Sequence, residues 1–184
     1  MNRPFIVGDK IYLRALGEED MDLMAKWFND PEVRHFIPAN KPTSREHWEK
    51  WHEKEEKDGN SVYLGIAKKE DDKLIGYANF SEINWSHHIT KEFGIIIGEI
   101  DEWNKGYGEE AIKLMLHYGF NSLNFHRIEL GVMEYNERAI NIYEKVGFKK
   151  EGIKREAWFI EGKWCDVVIM SILKHEYTNS KVKE

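Results

Sequence analysis

The chain has 184 residues and a formal net charge of −6, with 27 Lys and Arg against 33 Asp and Glu. That length suits one domain with a full hydrophobic core, and an apolar content of 41% is that of a globular chain. The acidic balance argues against nucleic acid as a partner, no run of about 18 apolar residues offers a membrane span, and the single Cys165 excludes an internal disulfide.

Met1 to Asp9 lacks the basic-then-apolar layout of a secretory signal, and no Cys/His cluster suggests a structural metal. A reducing cytoplasm is the expected setting. All four prolines fall in the first quarter, and no Gly/Ser-rich linker or internal repeat divides the rest of the chain. One domain over residues 1–175 with a polar tail over 176–184 is expected, the tail frayed.

Taken in chain order, Lys10 to Ala15 alternates as a strand, and Glu18 to Asn29 is an amphipathic helix burying Met21, Met24, Trp27 and Phe28. Asp30 to Pro42 is a loop broken by prolines. Thr43 with Glu46 forms a capping box for a charged helix to about Lys57. Ser61 to Lys68 and Leu74 to Trp85 are strands around the turn at residues 70–73. Thr90 to Gly98 is a strand whose run Ile95-Ile96-Ile97 predicts burial on both faces, hence a central place. Next come a helix over Gly106 to Asn121, a strand over Arg127 to Met133 and a helix over Asn136 to Val146. A hairpin of Ile153 to Ile160 and Trp164 to Leu173 ends the series. This order predicts an α/β protein with a mixed, mostly antiparallel sheet flanked by helices.

The segment Trp103-Asn104-Lys105-Gly106-Tyr107-Gly108-Glu109 lies between the central strand and the long helix. Two glycines let the backbone approach a ligand closely, and unpaired N–H groups at the helix start favour a pyrophosphate. By itself such a turn is more often chain punctuation than a phosphate cradle. Some thirty residues on, Asn136 caps a helix that carries Ala139 and Tyr143 and stops at Gly147-Phe148.

Together, the Trp-x-x-Gly-x-Gly turn before a helix and the Asn-capped helix with Ala-x-x-x-Tyr and then Gly-Phe resemble the GNAT superfamily of N-acetyltransferases. The resemblance covers about residues 8 to 175 and is densest from Phe93 to Phe148. The chain looks most like the branch holding ribosomal-protein N-terminal and spermidine N-acetyltransferases. Glu92 to Ile97 and Phe159 to Lys163 are similar to the spermidine enzymes in particular. Trp103 departs from the Gln or Arg that usually opens the pyrophosphate loop, which leaves the first phosphate contact of that loop open.

The resemblance implies the acyl-coenzyme A N-acyltransferase fold, with acetyl-coenzyme A as co-substrate between two central parallel strands. Ile95, Ile96 and Ile97 would pair their backbone with the pantetheine arm. Backbone N–H groups of Asn104, Lys105, Gly106, Tyr107, Gly108 and Glu109 would hold the pyrophosphate, with the Lys105 charge nearby. Asn136 would contact the cofactor near the thioester and Tyr143 the sulfur, as general acid to the departing thiolate. The acceptor amine must lose a proton, since Lys and α-amino groups have pKa values near ~10.4 and ~8. Glu92 and Glu82 are the candidate bases, with a solvated strand-end charge or a water relay as alternatives. His87-His88 is not a metal pair, because neighbours on extended backbone point apart.

Three acceptors stay open: a protein N-terminus, a polyamine, and an amino sugar or other small amine. Glu46, Glu49, Glu53, Glu55, Glu56 and Asp58 could draw a polycation, but Arg45, Lys50, Lys54 and Lys57 are interleaved with them. A non-catalytic coenzyme A-binding module on the same fold is the competing class. A homodimer or higher homo-oligomer is expected from the family's habit and from strand edges.

Overall fold

The computed structural model describes residues 3–181, apart from the side chains of Glu56 and of residues 178–181. Its strands are β1 (Ile6–Val7), β2 (Ile11–Ala15), β3 (Val62–Lys68), β4 (Leu74–Asn84), β5 (Ile89–Ile97), β6 (Arg127–Met133), β7 (Lys149–Ile160) and β8 (Lys163–Leu173). They form one sheet in the order β1-β2-β3-β4-β5-β6-β8-β7. Every pairing is antiparallel except β5 with β6. The long crossover between those two strands is what makes a parallel neighbour possible. The helices are α1 (Met21–Asn29), α2 (Pro31–Arg34), α3 (Arg45–Asp58), α4 (Tyr107–Asn121), α5 (Glu137–Lys145) and α6 (Lys174–Lys181). Among the described residues no helix is long and apolar enough to cross a membrane.

Strand alternation sends successive side chains to opposite faces, and the sheet therefore has two cores. Ala78, Phe80, Ile95 and Ile97 join Met115 and Phe120 of α4 and Ile140 and Tyr143 of α5 in the larger cluster. Tyr77 and Ile96, one residue out of step, join Met21, Met24 and Trp27 of α1 and Trp48 of α3 in the smaller one. Each fully buried large side chain contributes about 1.5–3 kcal/mol. Trp27 lies flat on Gly98, where a Cβ would fall 2.1 Å from the indole. The smaller half is tied to the sheet by a buried ion pair in which Arg14 donates to both oxygens of Asp20, at 2.7 and 2.8 Å. A second tie is Glu99, which accepts from Trp27 Nε1, Lys26 and Lys73.

Several sequence expectations shift. The loop after α1 contains the one-turn helix α2, capped by Asp30, whose side chain accepts from Glu32 N, with Pro31 in its first turn. The cap of α3 is Ser44 rather than Thr43: Ser44 Oγ accepts from His47 N, while Thr43 Oγ1 accepts from Trp48 Nε1. Phe28 is only half-buried. The end of the chain is helical from Lys174 to Lys181, with Tyr177 buried and stacked on Phe120, so the expected fraying after His175 is corrected. Met1, Asn2 and residues 182–184 lie outside the described residues, as does the Glu56 side chain of the acidic series.

Candidate active site

β5 and β6 pair only at Ile89↔Arg127 and Thr90↔Ile128. Beyond these pairs β6 stays in register with β8 as far as Met133, while β5 stays with β4 as far as Ile97. The sheet splits between them, and the split opens into a cavity of about 580 Å³. This explains why Ile95, Ile96 and Ile97 are half-buried and not sealed on both faces as their unbroken apolar run suggests. Their edge borders the cavity, and an unpaired strand edge offers backbone groups to an extended ligand.

At the C-terminal end of β5, Trp103 Nε1 donates to Ile97 O at 2.7 Å, which fixes the departing turn. Gly106 precedes α4 at φ +87, a left-handed conformation that favours glycine. Glu110 N takes Gly106 O as its acceptor at 3.1 Å, so the amides of Tyr107, Gly108 and Glu109 lack intrahelical partners. Gly108 lines the cavity. Lys105 is engaged with Glu102 at 2.8 Å. Glu109 is drawn toward Lys145 and Lys113, whose hydrogen bonds hold its carboxyl below the usual range. Its negative charge is thereby offset beside the unpaired amides of the helix start.

Two cations near this loop were not singled out by sequence. Lys10 Nζ donates to Lys105 O at 3.3 Å and lies 3.8 Å from where a Gly106 Cβ would be. Arg138 donates to Asn104 Oδ1, and its guanidinium sits 4.9 Å from the Trp103 ring centroid and 6.0 Å from that of Phe36. The bulky residue at the loop's opening thus serves as a platform for an arginine from α5. Arg138 stands two residues after Asn136, a signal visible in the sequence; Lys10 is about a hundred residues from the loop and carried none.

Asn136 caps α5, its Oδ1 accepting from Ala139 N at 3.2 Å, and it also lines the cavity. Tyr143 lies two turns further along α5, 6% exposed, packed on Phe93 and Phe148 at ring separations of 6.3 and 5.5 Å. Burial raises its hydroxyl well above the ordinary tyrosine value. Among the described residues that hydroxyl has no hydrogen-bond partner, and it is not sealed from solvent. It lines the same cavity as Glu92 and Glu82.

Glu92 stands on β5 across from Ser81. It is open to the cavity, yet enough protein surrounds it that burial, and then the charge of Glu82, push its carboxyl above the usual value. Glu82 adopts φ +51 within β4. That left-handed conformation costs about 1–3 kcal/mol in a non-glycine residue and is tolerated where the surroundings fix it. An adjoining groove of about 740 Å³ shares Glu82, Lys91 and Glu92 with the cavity and adds Glu55 and Asp58. Phe28, Phe36 and Tyr77 supply an aromatic wall on the side of α1 and α2. Tyr135 donates to His35 O at 2.6 Å, holding the segment after α2 across to the far side of the cavity.

The cavity therefore presents a strand edge, a helix start with unpaired amides, a buried phenol and a carboxylate with a raised pKa. A family model for an acetyltransferase (GNAT) domain matches residues 10–149. The spermidine N(1)-acetyltransferase of Vibrio cholerae is 31% identical over 173 residues, 94% of this chain and 98% of that protein. The ribosomal protein uS5-alanine N-acetyltransferase of Escherichia coli is 26% identical, over 92% of this chain and 91% of that one. A crystal structure of the Vibrio cholerae spermidine N-acetyltransferase, in complex with coenzyme A and spermine, matches with a TM-score of 0.87 at 31% identity, covering 94% of this chain and 100% of the other. The split sheet and the motifs around it thus have a family, and this chain belongs to it: it is a GNAT protein, an acetyl-coenzyme A-dependent N-acetyltransferase.

Proposed function

We propose that the cavity between β5 and β6 transfers the acetyl group directly to a primary amine of a polyamine. The observation that carries this reading is the joint presence, in one cavity, of Tyr143 with a free buried hydroxyl and Glu92 with a raised carboxyl pKa. The pantetheine arm would lie along the edge of Ile95, Ile96 and Ile97. The pyrophosphate would meet the amides from Asn104 to Glu109, with Lys10 and Arg138 as nearby cations, while Lys105 stays with Glu102.

Glu92 is the base in this scheme. Its raised pKa brings it closer to the operating pH, where proton abstraction is most efficient. Glu82 tunes it by like charge and does not itself attack. The nitrogen lone pair then adds to the thioester carbon, the C–N bond forms, and collapse of the tetrahedral intermediate breaks the C–S bond. Tyr143 gives its proton to the departing sulfur, and the second proton that the nitrogen sheds on becoming an amide restores the phenol. Burial raises the phenol, but a thiolate born in the same cavity is destabilised by the same desolvation, so the hydrogen bond between them keeps its value.

A polyamine is favoured by the adjoining groove, where Glu55, Asp58, Glu82 and Glu92 face only Lys91 among the cationic lining residues. Such a field attracts a second ammonium. The identity to the spermidine enzyme, higher than that to the ribosomal-protein enzyme, supports the same choice. The test is free-thiol release from acetyl-coenzyme A with spermidine, spermine, small amino sugars and short peptides of varied N-terminal residue. Turnover with polyamines is expected. Turnover confined to peptides would move the acceptor to a protein N-terminus, and silence from every amine with the cofactor bound would contradict catalysis.

A further inference from the structure

β4 carries a polar side chain that the acid–base scheme leaves unused. Asn79 is 7% exposed, lines the cavity, and pairs directly with Gly94 across β4 and β5. Its amide nitrogen donates to Ser81 Oγ at 2.6 Å, and Ser81 Oγ lies 3.1 Å from the Tyr63 hydroxyl. The amide is therefore anchored at one end. Its carbonyl oxygen has no hydrogen-bond partner among the described residues, yet it is not among the buried atoms shut off from solvent. A Cβ on Gly94 would come within 2.4 Å of that oxygen. The oxygen thus rests over the Gly94 backbone, on the strand that borders the cavity, in space that only glycine leaves open.

A nearly buried acceptor is ordinarily satisfied by the protein or by a donor that enters. The reaction brings two kinds of donor, the pantetheine amides, proposed to lie along the edge of Ile95 to Ile97, and the amine, proposed to approach from the side of Glu92. Glu92 is two residues from Gly94 on the same face of β5, roughly 7 Å along the strand. Both Asn79 and Glu92 line the cavity. We infer that Asn79 binds and orients the acceptor amine, its Oδ1 taking one N–H so that the nitrogen lone pair is directed at the thioester. The inference rests on the transfer proposed for this cavity. The opposite placement of the amide, with Nδ2 facing the cavity, would instead make Asn79 a donor to the oxyanion.

Steady-state kinetics of the full chain, varying the amine and acetyl-coenzyme A separately, decide the matter alongside calorimetric cofactor affinity. Asn79→Ala should raise the amine KM about tenfold or more and leave cofactor affinity in place. Asn79→Asp keeps an oxygen acceptor. It should bind the amine at least as well, and move the rate profile to higher pH, because its charge holds the amine protonated. Gly94→Ala pushes the Asn79 oxygen aside and should reproduce the amine defect of Asn79→Ala. A loss of kcat at unchanged amine KM in both Asn79 variants would overturn the inference in favour of an oxyanion donor. Unaltered kinetics in Asn79→Ala, with Tyr143→Phe impaired, would remove Asn79 and leave the proposed transfer standing. Unaltered kinetics in both variants would remove both.

Discussion

The face of the sheet under α4 and α5 is filled with hydrocarbon, with Phe80, Met115, Phe120 and Phe125 wholly buried. The face under α1 and α3 is a mixture: Trp27 and Trp48 beside Tyr63 and Tyr77, with Asn79 and Ser81 buried among them. In the proposed transfer the first face positions the elements that would meet the cofactor, mostly through backbone at a strand edge and a helix start. The second would meet the acceptor through side chains gathered from β3, β4, β5 and the helices above them. A shared cofactor can be held by main chain, which any sequence with the right bends supplies. An acceptor has to be recognised by particular side chains, and this requires polar groups inside a core.

The mixed face depends most on its ion pair. Asp20→Asn leaves the Arg14 guanidinium, with a side chain 4% exposed, without its counter-charge. A loss of about 3–5 kcal/mol is expected in chemical denaturation. A loss below about 1 kcal/mol would mean that the face is held by its aromatic packing alone.

On the cofactor side, Gly106→Asp places a negative charge against the proposed phosphate site. On an exposed loop this costs on the order of 1–2 kcal/mol, about a tenfold loss of acetyl-coenzyme A affinity by calorimetry. Gly106→Asn tolerates the φ of +87 without the charge and should bind nearly as the parent does. Equal weakening by both variants would show that the turn, and not an anion, is what the site requires.

The smallest effect is expected at Glu82. Burial and the Glu82 charge both raise the Glu92 carboxyl, so Glu82→Gln should lower it toward its ordinary value. A base is active when deprotonated, and activity therefore survives to lower pH: the acidic limb of kcat/KM should move down the pH scale. A limb that stays in place would separate Glu92 from the rate profile.

The elements of the proposed cofactor half were the legible ones. Gly106, Gly108, Asn136 and Tyr143 stand in short motifs at helix starts and on a helix whose spacing is set by local geometry, and β6 has the predicted ends, Arg127 and Met133. The apolar run of Ile95 to Ile97 placed β5 centrally but not at a split, because loss of a strand partner leaves no trace in hydropathy. The acceptor half was harder. Asn79 gains meaning only opposite Gly94, fifteen positions away, and Glu82, a candidate base by sequence, shows its left-handed turn within a strand only in the structure. The helix α2 is one turn long, too short for a periodic signal, and proline at its start resembles a loop. Trp103 looked like a departure from the phosphate loop, and it is explained by contacts with Ile97 and Arg138 that spacing does not reveal.

The central claim is that acetyl transfer occurs between the two faces at Tyr143. The most direct test is the turnover of Tyr143→Phe with spermidine, paired with calorimetric acetyl-coenzyme A affinity. Removing one hydroxyl from a packed ring should leave affinity nearly intact and lower kcat at least about tenfold. Unchanged turnover would contradict the account, because the buried phenol in the cavity would then have no part in the reaction.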